Sequence, residues 1–312
     1  MSLFRRSSLQ PGWVACAPEG AHAAWAWVEP VAGGRPAVRW LAREDWRDAT
    51  ATLRRLVRSR GLKRHQTVTL LQHGHYQLRQ FDAPEVPREE WAQAMRWQLK
   101  DQVDFEVEHA AVDVLAIPPE TSRRTPQLLA IAAPHEHLRP LVLAAHDAGA
   151  PWHAVDIAET ALRNLSALVE PAGRAQALLH FDARHGLLVI TAGGELLASR
   201  DFDIGLDALT DPAGGAAAID RVMLDLQRTL DGFERQFTHV SLARLLVTPA
   251  APLADFIRQA GEAIFVPVAA FNAREAMDLS ALGTLDDAAL AQALPAIGAA
   301  LRGAVAVSGA VA

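Results

Sequence analysis

The side chains best equipped for chemistry are a few local clusters of histidine, acid and hydroxyl. His135, Glu136 and His137 stand together with His146 nine positions on, a set that invites a metal ion. His135 and His137 are two apart at a helix start, so their side chains leave on different faces. A zinc site also needs a further ligand and an ordered second shell, and the pattern supplies neither. These residues read as solvated helix-end groups, and His73-Gly74-His75 reads as a turn. Ser166 and Ser199 lack a glycine-rich elbow, so no hydrolase nucleophile is indicated. Asp201 and Asp203 flank a strand end and are expected to face water. The single cysteine, Cys16, lies in the apolar run Trp13-Val14-Ala15-Cys16-Ala17 and reads as a buried thiol in a reducing compartment. No catalytic residue and no metal ligand is expected.

Composition narrows the classes further. A chain of 312 residues, 50% hydrophobic and 21% charged, is long enough for about two domains with cores of their own. Its 36 acids against 30 bases give a formal charge of −6, which offers no overall basic field for a nucleic acid. The opening MSLFRRSSLQPGW has no apolar run after its arginines, so no secretory signal is predicted and a place in the cytoplasm is expected. The apolar tail 288–312 is Ala-rich and interrupted by Pro295 and Arg302, which argues against a membrane span; beyond Arg302 a short loose end is expected.

The elements that would position any site follow a repeated order. Apolar runs at GWVACAP, AAWAWV and PAVRWLA predict a three-strand meander, and EDWRDATATLRRLVRSRG predicts a helix with Trp46, Ala49, Leu53, Leu56 and Val57 on one face. Its arginines read as a solvated face. Thr67–Leu71 and Tyr76–Phe81 read as strands around a turn at Gly74, before Pro84 and Pro87 break the pattern. Next come a helix carrying Trp91, Met95, Leu99 and Val103, two strands, and a helix over about 136–148. This helix-strand-strand-helix unit has the size of an insert. Trp91 and Trp97 point to differing faces of the first helix, so one of them is a candidate for a partner surface. Residues 173 onward restart the grammar: three short strands, a long helix from Ile219 to Phe237, then strand, helix, strand and a closing helix over 286–301. Two such halves imply an internally duplicated α/β architecture.

Several phrases carry a resemblance to a known family. EEWAQAMRWQLKDQVDFEVEHAAVDVLAIP, HAVDIAETALRNL, DLQRTLDGFERQF and LPAIGAALR resemble the MshI-type branch of the PilM-like type IV pilus assembly family, within the actin-like ATPase superfamily. The resemblance runs over most of residues 2–302. It implies an actin-like, duplicated RNase H-like fold of two halves with a small α+β insert in the first. The implied division is 1–82 plus 153–172 for the first half, 83–152 for the insert, and 173–312 for the second half with its loose tail.

Active members of that superfamily hold phosphates between two hairpins and use a glycine pair near the adenosine. Here the first hairpin, ACAPEGAHAAW, has Cys16 and Pro18 in place of the acid and glycines. The second, LHFDARHGLLVI, keeps Asp182 at the acid position, a remnant whose plainer reading is a turn cap. Val247-Thr248-Pro249-Ala250-Ala251 replaces the glycine pair. The resemblance therefore implies a scaffold without cofactor and without catalysis, ATP being at most a weak ligand through Asp182. Its implied partners are a PilN-like bitopic inner-membrane pilus protein and a cytoplasmic motor ATPase, with attachment to the inner membrane only through a partner. The alternatives are a nucleotide-cycling actin-like ATPase and the platform of a type II secretion-like system.

Overall fold

A computed structural model of the chain describes residues 9–118 and 126–303. The expected loose tail beyond Gly303 lies outside the described residues. The chain opens with β1 (Trp13–Glu19), β2 (His22–Glu29) and β3 (Ala37–Asp45), an antiparallel meander in which Cys16 pairs with Trp25 and Trp27 with Trp40. α1 (Ala49–Arg60) follows. The Asp48 carboxylate caps its start by accepting from Ala51 N–H at 2.9 Å, and Gly61 stops it at φ 64°, a left-handed angle that glycine adopts without strain. β4 (Gln66–Leu70) returns parallel to β1.

The chain then leaves this sheet. β5 (Gln77–Asp82), α2 (Trp91–Leu99), β6 (Ala110–Ile117), β7 (Gln127–Pro134) and α3 (His135–Asp147) follow, and the three strands form a separate sheet in the order β5-β7-β6. Met95, Leu99, Val107, Leu128, Ala130 and Ala132 give it a core of its own. β8 (Ala154–Asp156) rejoins the first sheet beside β4, and α4 (Ala158–Ala167) leads out of it.

The second half repeats the first. β9 (Ala175–Phe181), β10 (Gly186–Ala192) and β11 (Glu195–Phe202) form the meander, and α5 (Leu206–Leu209) and α6 (Gly215–Gln236) follow. Val222, Leu226, Leu230 and Phe233 are the buried face of α6, at helical spacing over three turns. β12 (Leu242–Thr248), α7 (Ala254–Ala263), β13 (Val268–Ala270), α8 (Ala273–Ala276) and α9 (Asp287–Ala300) complete the chain. The sheet orders β3-β2-β1-β4-β8 and β11-β10-β9-β12-β13 are the same order twice, the topology of the duplicated α/β fold expected from the sequence.

Three details differ from the expected division. β5 pairs with β7 rather than returning to β4, so the third sheet begins before residue 83; its Phe81 packs into that sheet's core. The strand expected over AIFVPV, residues 263–268, begins only at its last residue, as β13, because Pro267 has no N–H and contributes only its carbonyl, which accepts from Leu245 at 2.9 Å. The helices facing the other half are also exchanged. α4, assigned by sequence to the first half, packs on β9, β10 and β11, while α9, assigned to the second, packs on β1, β2 and β4. Their apolar faces match the sheet of the opposite half, and they cross where Gly298 meets Ala161.

Candidate functional site

Between the two central sheets lies a cleft of about 1440 Å³. Three loops form its upper wall: the β1–β2 turn, the β9–β10 turn, and the segment after β12. The first places Pro18, Glu19 and Gly20 at the rim. Gly20, at φ 56°, turns the chain, and its N–H donates to the Gln72 side chain at 3.2 Å. Pro18 has no N–H to offer. Burial pushes the Glu19 carboxyl above its ordinary range, with the charge of Asp182 across the cleft as the next cause.

The second loop, Asp182 to His185, is held closed from several sides. Asp182 Oδ1 accepts from the N–H groups of Arg184 and His185, each at 2.7 Å, while Asp182 N–H donates to His185 O at 2.9 Å. Leu206 and Asp207 donate to Asp182 O and Ala183 O at 2.8 and 2.9 Å. A Cβ on Gly205 would lie 2.3 Å from Arg184 C, so backbone packs directly on backbone there. Asp182 is thus a turn acid whose two nearest amides already have an acceptor. In the third loop Pro249 and Pro252 offer no donor, and Thr248 is buried. The amides of Gly20, Arg184 and His185 are thus bonded within the protein, and Pro18, Pro249 and Pro252 have none to give.

In and beside the cleft stand further groups, of which His180 and Glu159 were not singled out by the sequence. His180 on β9 is 8% exposed, burial holds its pKa down at about 4, and its Nδ1 has no hydrogen-bond partner. His73, before β5, stacks on His185 at 4.1 Å between ring centres and so spans the two halves. Asp201 lies 3.8 Å from His73 Nδ1, and Asp182 lies 3.7 Å from His185 Nδ1. Below them Glu159, in the first turn of α4, is 2% exposed and accepts from Tyr76 O–H at 2.6 Å. Burial raises its pKa to about 7. Glu159 is ordinary in sequence as an early helical acid, and only Tyr76, from a distant segment, makes its setting unusual.

The other clusters read from the sequence fall elsewhere in the fold. His137 stacks on His75 at 4.1 Å, His135 is exposed, and His146 faces Asp147 at 3.4 Å. Among the described residues no three His, Cys, Asp or Glu side chains are placed to hold one metal ion. Ser166 is buried and bonded to Thr191 and Gln176. Asp201 and Asp203 are exposed, and Cys16 is buried. Trp91 packs into the third sheet's core and donates to Val86 O at 3.2 Å, whereas Trp97 is 76% exposed. No helix among the described residues is long and apolar enough to cross a membrane.

No protein-family model matches the chain, and no curated protein matches it. Among solved structures it is similar to a chain of a PilM-PilN type IV pilus biogenesis complex, at TM-score 0.73 and 19% identity, over 94% of this chain and 98% of that one. It is also similar to the cytoplasmic domain of EpsL, an inner-membrane component of the type II secretion system of Vibrio cholerae. There the TM-score is 0.50 and the identity 12%, over 92% of this chain and 94% of that one. A Bacteroides thetaiotaomicron protein with an actin-like ATPase fold aligns at TM-score 0.49 and 10% identity, over 93% of this chain and 98% of that one. At these identities the likeness to the PilM-PilN chain establishes the fold alone, a duplicated α/β architecture with a third sheet.

Proposed function

We propose that this chain is a non-catalytic cytoplasmic scaffold of a type IV pilus assembly machine, of the MshI-type, PilM-like kind. In this reading a PilN-like bitopic inner-membrane protein binds it and holds it at the membrane, and the bound chain meets cytoplasmic motor components. The unit built on the third sheet is the insert, and the two duplicated halves are the body on which it is displayed. The observation that carries the reading is the alignment with the PilM-PilN structure along nearly the full length of both chains, third sheet included. The cleft supports the non-catalytic part, because the hairpin amides of Gly20, Arg184 and His185 are already bonded within the protein. The likeness to the EpsL domain leaves a secretion platform as the second reading.

The test is calorimetric titration of the full chain with the amino-terminal cytoplasmic peptide of a PilN-like bitopic pilus protein from the same organism. The expected result is saturable binding in the micromolar range, lost when the peptide is scrambled. Absence of binding to that peptide, together with binding to a secretion ATPase, would move the assignment to the second reading.

A further inference from the structure

One surface is used by nothing described so far. Residues 49–65, α1 and the turn after it, hold Arg54, Arg55, Arg58, Arg60, Lys63 and Arg64 and no acid, in a chain of net charge −6. All six are exposed. One or two cations suffice to complement a helix carboxyl end, so six exceed what α1 itself needs. Arg55 is paired with Glu44, and Arg60 lies over the Trp40 ring at 4.9 Å. Two of the others lie towards α3: Arg54 donates to Asp147 O at 3.4 Å, and Lys63 Nζ sits 3.2 Å from where a Gly149 Cβ would be.

α3 lies beside α1 on the same layer. Ala144, Ala145 and Ala148 share a core with Leu53 and Leu56 against the first sheet, so the outward faces of both helices look the same way. Along α3 that outward stripe is His135, Arg139, Val142, Leu143 and His146. Val142 is 48% and Leu143 51% exposed. The acids bordering the face are Glu44, which holds Arg55, and Asp48, Glu136 and Asp147.

We propose that the outward face of α1 and α3 rests on a bilayer surface bearing anionic headgroups. The arginines and Lys63 meet the phosphates, and Val142 and Leu143 enter the boundary between headgroups and acyl chains. A nucleic acid would use the cations but leave both apolar side chains in water, which favours the bilayer. Each cation near an anionic surface raises partitioning about fivefold, and the bordering acids reduce the total. Such a contact is weak alone, and beside a protein tether it multiplies the tether's effect by fixing which face the molecule turns to the membrane. It stands apart from the pilus reading and is tested without any partner.

The full chain is sedimented with vesicles of phosphatidylcholine and with vesicles of phosphatidylcholine and phosphatidylglycerol in equal parts. Binding to the anionic vesicles alone, lost at high salt, is expected. The triple variant Arg58→Glu/Lys63→Glu/Arg64→Glu should lower partitioning by at least about a hundredfold with an unchanged circular dichroism spectrum. The milder Arg58→Gln/Lys63→Gln should lie in between. A polarity-sensitive fluorophore on Leu143→Cys, whose only competitor Cys16 is buried, should shift to the blue on anionic vesicles. Equal binding to both vesicle types, indifference to charge reversal, or tight duplex DNA binding with no fluorophore shift on vesicles would each overturn the proposal.

Discussion

Glu159 and His180 are buried titratable side chains whose pKa values move in opposite senses, to about 7 and about 4. An unfolded carboxylate titrates near 4.3, so between about pH 4.5 and 7 the native state binds more protons at Glu159, and stability falls as pH rises through that window. An unfolded imidazole titrates near 6.5, so His180 favours the native state above that pH, and its contribution is lost as pH falls towards 4. Each effect is on the order of 3 kcal/mol and, where the windows overlap, they offset one another. Glu159→Gln keeps an acceptor for Tyr76 and should raise stability at pH 7.5 while exposing a steeper acid limb below pH 6.5. His180→Gln should remove that limb. Urea unfolding at several pH values measures both, and a variant profile parallel to wild type would refute the assignment. Asp182 was legible as a turn acid because the turn is local. The setting of Glu159 was not, since burial there comes from Tyr76, 83 positions away along the chain.

The helices show the same division between local and distant causes. α1, α6 and α9 were legible from apolar spacing and from Gly61, because those signals sit within each helix. Which sheet α4 and α9 cover was not, because spacing defines an apolar face without naming what it meets. Two glycines inside helices make the point quantitative. Replacing glycine by alanine in a helix interior gains about 1 kcal/mol of propensity. At Gly232 in α6 nothing lies within 4 Å of the added Cβ, so Gly232→Ala should stabilise by roughly that amount. At Gly298 in α9 the Cβ would fall 2.2 Å from Ala161 O, backbone against backbone. Overpacking of that kind costs about 1–3 kcal/mol or more, which exceeds the propensity gain, so Gly298→Ala should destabilise. Thermal unfolding of both variants checks the pair, and a stabilised Gly298→Ala would mean that the helices do not cross as described. β5 was misassigned for a related reason: strand register depends on a partner, and β7 lies far along the chain.

For the whole molecule, the duplicated order and the separate third sheet were largely readable, while the state of the cleft needed coordinates. Titration with Mg-ATP is expected to give no binding in the micromolar range, since the amides of Gly20, Arg184 and His185 are already bonded. Micromolar affinity abolished by Asp182→Ala would reverse that expectation. The described residues fasten the two halves at several separate places, among them the stack of His73 on His185 at the rim, the crossing of Gly298 over Ala161 beneath, and the paired backbone of Ala37 and Asp278 at the outer edge. A door swings because it hangs from a single line, and a panel bolted at several points transmits a push without folding. Force applied to such a body by one neighbour would reach the next as displacement of the whole, in the manner of a bracket between two moving parts.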